Sequence, residues 1–188
     1  LILCNSNQPD VHHDIGKISN PSFFTENQLS EQNPHDNISS KDSVEMIKQH
    51  VVDGVKLAKN AGVPERVIEF IKTHHGTNLI GYFYNKEAKL DPKIKKVDFR
   101  YDGPKPFSVE MALVMMCDSV EAATKSLDKP DNDKIDSFVE MIIDKQVEDQ
   151  QFENCELTFK NISIIKSVLK EKLKNIYHIR VSYSDGSN

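Results

Sequence analysis

From Ser39 onward, apolar residues recur three and four positions apart, a spacing that predicts helices. The first is capped by Ser39, Ser40 or Asp42, runs to about Asn60 and stops at Gly62, with Ile47, Val51, Val55 and Ala58 as its inward stripe. His50 falls beside Ile47 and one turn before Gly54, so it points inward or towards a cleft. A second helix opens at Pro64, carries Val67, Ile68 and Ile71 and ends at His74 and His75. A third, capped by Ser108, reaches about Leu127 and buries Met111, Val114, Met115 and Val120, with Asp118 on the same side as Met111 and Met115. Residues 134–150 and 161–179 give two more amphipathic helices. Their apolar faces are Ile135, Phe138, Val139 and Ile142, and Ile162, Ile165, Leu169, Leu173 and Ile176. Residues 1–40 sustain no period, and 76–106 read as one long polar connection of the kind that carries function. The last ten residues read as a short strand or a tail. The fold class is all-α.

Composition narrows the functional classes. The chain has 188 residues, 38% hydrophobic and 28% charged, which suits one soluble domain. No apolar run reaches the roughly 18 residues of a membrane span, and Leu1–Val11 lacks the basic start of a secretory signal. A formal charge of −5 and a pI near 5.8 argue against a broad duplex-binding surface, while leaving room for a small anion held by local cations. Cys4, Cys117 and Cys155 show no CxxC spacing, which points to a reducing, cytoplasmic setting rather than a disulfide framework.

The chemistry lies in the histidines and their carboxylate neighbours: His12-His13-Asp14, His50, His74-His75 and Asp118. Imidazole nitrogen and carboxylate oxygen suit Mn, Fe or Zn, and a carboxylate can bridge two such ions. Taken singly, each has a plainer reading. A His on an apolar face is commonly a hydrogen-bonded core residue, and a His pair at a helix end can serve the helix dipole. A carboxylate within an apolar stripe is harder to dismiss, because burying it without a partner costs several kcal/mol, on the order of 3–5. Lys17, after the bend that Gly16 permits, could bring an ammonium near an anion, and Arg100 and Lys105 are further phosphate-binding candidates or plain surface charge.

Seven motifs occur in order: His13-Asp14-Ile-Gly-Lys17, Asn33-Pro-His-Asp36, His50-Val-Val-Asp-Gly54, His74-His-Gly-Thr77, Phe99-Arg-Tyr-Asp-Gly-Pro-Lys-Pro106, Asp118-Ser-Val-Glu-Ala-Ala123 and Ile176-Tyr-His-Ile-Arg180. Together they resemble the HD phosphohydrolase domain of the seven-transmembrane HD proteins, the PgpH-type cyclic-di-AMP phosphodiesterases. Gly81-Tyr82-Phe83 is not the Gly-Tyr-Pro signature of the related HD-GYP group. The resemblance covers 12–180, leaving 1–11 as an atypical N-terminal segment and 181–188 as a tail. It implies an HD-domain helical bundle with two divalent transition-metal ions, Fe or Mn before Zn, that hydrolyses cyclic di-AMP to the linear dinucleotide by a hydroxide held between the ions. Asp14 would be the catalytic bridging ligand, with His50, His74 and His75 at one ion and His13 and Asp118 at the other. Lys17 would orient the phosphate, with Arg100 and Lys105 also binding substrate. It further implies a membrane-anchored parent protein with this domain on its cytoplasmic side. The family supplies one more His ligand from a helix well upstream of the HD pair. Only eleven residues precede His12 and none is His. The expectation is therefore a bundle lacking the family's N-terminal helix, in a fragment or a chain with a different N-terminal segment. Its second site would be one ligand short, with His12 as the nearest substitute. The alternative function is a nucleotide-binding module with an incomplete metal site that no longer turns over.

Overall fold

The computed structural model describes residues 13–24, 33–125, 127 and 130–184, with side chains described as far as Tyr177. Among the described residues six α-helices follow one another: α1 (Ser40–Asn60), α2 (Glu65–Thr73), α3 (Gly81–Ala88), α4 (Val109–Lys125), α5 (Asn132–Glu148) and α6 (Phe159–Ser184). Among the described residues there is no strand, only one isolated antiparallel bridge between Leu79 and Arg100. The chain divides into two compact units, one ending at Lys105 and the other starting at Pro106.

In the first unit, α1 begins where the Ser39 hydroxyl accepts the Asp42 amide at 3.1 Å, and it ends before Gly62, whose φ of +70° suits glycine. Its deeply buried positions are Ser40, Ser43, Val44, His50, Gly54 and Ala58. The expected stripe of Ile47, Val51 and Val55 is only half-buried. The deeper face is rotated because a 3₁₀ turn, Ile15–Ser19, lies directly on α1. A Cβ placed on Gly16 would come within 1.8 Å of the His50 carbonyl oxygen and 2.5 Å of the Gly54 amide nitrogen. Gly16 therefore serves close backbone approach rather than a left-handed bend, and this contact is what sets the HD dipeptide above His50. Ile68 and Ile71 of α2 pack with Ala58 of α1, and Ile15, Val55 and Val63 close that cluster.

The long connection is not structureless, contrary to the sequence reading. It contains α3 and a 3₁₀ turn, Lys96–Phe99. Phe83 on α3 and Phe99 on the turn pack against Val44, flanked by Ile47, Leu79 and Tyr84, so tertiary burial organises a stretch whose own pattern is weak.

In the second unit, α4 buries Met111, Ala112, Val114, Met115, Met116 and Val120. Asp131 caps α5, accepting the Lys134 amide at 2.8 Å, and α5 buries Ile135, Val139 and Ile143. Ile143, not Ile142, is the fully buried position. Reciprocal bonds between Thr158 and Asn161 open α6, whose Leu169 and Leu173 are buried. The end of the chain corrects the expected strand or tail: α6 stays helical through Ser184. The segment Leu1–Val11, His12 and residues 185–188 lie outside the described residues.

Candidate metal centre

Two helices and one turn build the site. His50 stands in the middle of α1, His74 and His75 follow the last turn of α2, and His13-Asp14 precedes the 3₁₀ turn that Gly16 docks onto α1. His50 Nδ1 lies 2.5 Å from the Ile47 carbonyl oxygen, and His74 Nδ1 lies 2.7 Å from that of Ile71. A carbonyl oxygen only accepts, so each Nδ1 carries the proton and donates it. In the neutral rings each Nε2 is then a bare lone pair. These two Nε2 atoms are 3.2 Å apart, and they lie 3.5 and 3.6 Å from Asp14 Oδ1. That oxygen is buried and has no hydrogen bond.

With both rings neutral, three acceptors thus converge without a donor among them, an arrangement that a cation resolves. Ligand atoms held about 2.1 Å from one ion stand roughly 3.0–3.4 Å from each other, close to the separations seen here. The potential ligand atoms of Asp14, His50, His74 and His75 all lie within 4.8 Å of one another. The donor set fits a divalent transition metal, and the backbone bonds to Nδ1 fix both rings as outer-shell partners of metal ligands do.

Electrostatics agree with that reading. Burial, reinforced by His74, lowers the His50 pKa to about 4. Burial also holds His75 well below its ordinary value, with His74 and His50 adding to the effect. For Asp14, burial alone would raise the pKa, but the surrounding positive charge, the Lys17 ammonium included, outweighs it and holds the carboxyl well below the usual range. His50, His75 and Asp14 are therefore already in their ligating forms at neutral pH.

His13 Nε2 lies 3.6 Å from Asp14 Oδ2, and its ring centroid is 5.0 Å from that of His74. Lys17 Nζ pairs with the same Oδ2 at 2.8 Å and sits 5.2 Å over the Phe24 ring, which meets His50 edge-on. The structure thus brings together His13, Asp14, Lys17, His50, His74 and His75. Asp118 lies half-buried on α4, in the second unit. Arg100 spends one guanidinium donor on the Thr77 carbonyl at 2.8 Å, so part of its charge serves the local chain path. Lys105 is half-buried in the irregular segment that follows Arg100. Sequence reasoning missed the ring of Tyr101, stacked on His75 with centroids 4.2 Å apart, and the carbonyls of Ile47 and Ile71. The carbonyls leave a trace in spacing alone, each lying three residues before its His on a helix; the stacking leaves none.

Comparison with known proteins agrees with this geometry. The HD domain family matches residues 11–123. The cyclic-di-AMP phosphodiesterase PgpH of Listeria monocytogenes is 41% identical over 174 residues, covering 93% of this chain and 24% of the relative. PgpH of Bacillus subtilis is 38% identical over 176 residues, covering 94% and 25%. The chain therefore spans about a quarter of the length of these relatives. The crystal structure of the L. monocytogenes phosphodiesterase PgpH HD domain in complex with cyclic-di-AMP superposes with a TM-score of 0.85 at 40% identity, over 88% of this chain and 78% of that one. Family match, all-helical fold and imidazole–carboxylate cluster agree: the chain belongs to the HD-domain family, of the PgpH type.

Proposed function

We propose that this chain is a metal-dependent phosphodiesterase that opens cyclic di-AMP to the linear dinucleotide. The observation that carries the proposal is the convergence of two bare imidazole nitrogens on the buried, unbonded Asp14 Oδ1. The PgpH relatives, one crystallised with cyclic-di-AMP, supply the substrate class.

Asp14, His50, His74 and His75 would hold one divalent ion, Fe or Mn, with Zn as a third candidate. On the family resemblance, Asp14 would also serve a second ion, with His13 and Asp118 as its further ligands. When bound, such ions supply Lewis acidity: they lower the pKa of water and balance charge on the phosphoryl oxygens. The protein's own part is preorganisation. Ile47 and Ile71 fix two rings through their carbonyls, and the Lys17 ammonium keeps Asp14 ionised while adding positive charge for a phosphodiester. Arg100 and Lys105 would add cationic charge along the substrate.

The test is turnover of cyclic di-AMP by protein purified without chelators, assayed with added Mn²⁺. Linear dinucleotide should form, and Asp14→Ala should slow its formation more than about a hundredfold while leaving the helical circular dichroism intact. Unchanged turnover in Asp14→Ala would sink the proposal. Tight binding with no product after prolonged incubation would favour a binding module instead.

A further inference from the structure

His75 stands beyond the end of α2, in the turn where Gly76 takes a φ of +50°. A clasp from later in the chain closes over it. Ile80 N donates to the Phe99 carbonyl at 2.8 Å, Tyr101 N to that of Asn78 at 3.0 Å, and Arg100 Nη1 to that of Thr77 at 2.8 Å. On its outer side Asp102 pairs with Lys48 of α1 at 3.3 Å, and the fully buried Phe99 anchors the inner end. Residues 77–80 and 99–102 are therefore fastened to each other. The product of that fastening is the stack of the Tyr101 ring on the His75 imidazole, with centroids 4.2 Å apart and planes 24° apart. His50 and His74 are held through Nδ1 by carbonyls of their own helices, and on His75, which also meets the His74 ring at 3.9 Å, a ring from a distant segment lies flat.

We propose that Tyr101 is a positioning residue: its ring fixes the plane of the His75 imidazole and so completes the ligand set around Asp14. The proposal rests on the metal-centre reading above. The contact is a ring stack, which any aromatic side chain can make and an aliphatic one cannot, so Tyr101→Phe keeps it and Tyr101→Leu removes it. The experiment compares Tyr101→Phe and Tyr101→Leu in the full chain, by Mn²⁺ affinity and by the NMR shifts of the His75 ring protons in metal-free protein. Tyr101→Phe should stay within about twofold of the parent affinity and keep the shifts, whereas Tyr101→Leu should weaken Mn²⁺ binding about tenfold and move the His75 protons downfield. Parent-like affinity and shifts in Tyr101→Leu, or equal losses in both variants, would overturn the proposal. Should Tyr101→Leu fail to fold, the unsubstituted protein decides the matter. A stacked tyrosine shields the His75 ring protons upfield, and their absence from that region would overturn the proposal too. Failure of the parent to take up Mn²⁺ would remove the metal-centre reading, while the His75 shifts in metal-free protein would still judge the stack.

Discussion

At the scale of single residues, the site depends as much on an absent side chain as on its imidazoles and carboxylate. Gly16 lets the turn after the HD dipeptide touch the His50 carbonyl, and no rotamer change can make room there because the obstacle is backbone. Gly16→Ala should therefore destabilise the fold by about 2–3 kcal/mol, as overpacking does, and should lower metal affinity by displacing Asp14. Gly81→Ala is the matched control. A Cβ there meets nothing within 4 Å, so its effect should be near neutral, within about 1 kcal/mol. Urea midpoints of the two variants give the comparison, and equal midpoints would contradict the close-approach account. The members of the cluster were legible in the sequence, because His13-Asp14, His50 and His74-His75 gather most of the chain's histidines into short motifs. The role of Gly16 was not: a glycine needed for a bend and one needed for contact look alike until the partner backbone is known.

Among the elements, α1, α2, α4, α5 and most of α6 announced themselves through period and caps, and Ser39 and Ser108 both act where expected, the latter accepting the Met111 amide at 3.3 Å. α3 did not, because eight residues with one buried aromatic, Phe83, show too little period to register. The last turns of α6 were hidden by Val181, Ser182 and Tyr183, which favour strand or turn when read locally. Between α5 and α6 runs a ladder of ion pairs. Lys166 reaches Glu140 and Asp144 at 2.5 Å each, Lys170 also reaches Glu140, and Lys174 reaches Asp136 at 2.7 Å. The bonds from Lys166 and Lys170 lower the Glu140 pKa. A carboxylate lowered on folding stabilises the folded state above its unfolded pKa, so this contribution fades as the pH falls through and below the ordinary carboxylate range. Glu140 is 43% exposed, so solvent screens the pairs. Glu140→Gln should lower stability by about 0.5–1 kcal/mol at neutral pH, and by less at high salt. Thermal melts at two salt concentrations check this; a loss that grows with salt would contradict it.

For the molecule as a whole, the cluster of bare acceptors means that the metal-free fold carries an electrostatic penalty that an ion removes. An ion that binds only the folded state at a hundredfold excess over its Kd stabilises by about 2.7 kcal/mol. In a chain of this length that corresponds to roughly 5–10 °C in Tm. Chelation should therefore lower the Tm by several degrees, and added Mn²⁺ should restore it; an unchanged melt would mean the histidines are ordinary packing residues. Metal content per chain decides whether the cluster holds ions, taken by elemental analysis on protein purified anaerobically without chelators, alongside Asp14→Ala. About two ions per parent chain are expected, with a near-complete loss in the variant, since Asp14 is common to both proposed sites. A folded parent protein with no bound metal, or an Asp14→Ala variant that keeps its full complement, would contradict it.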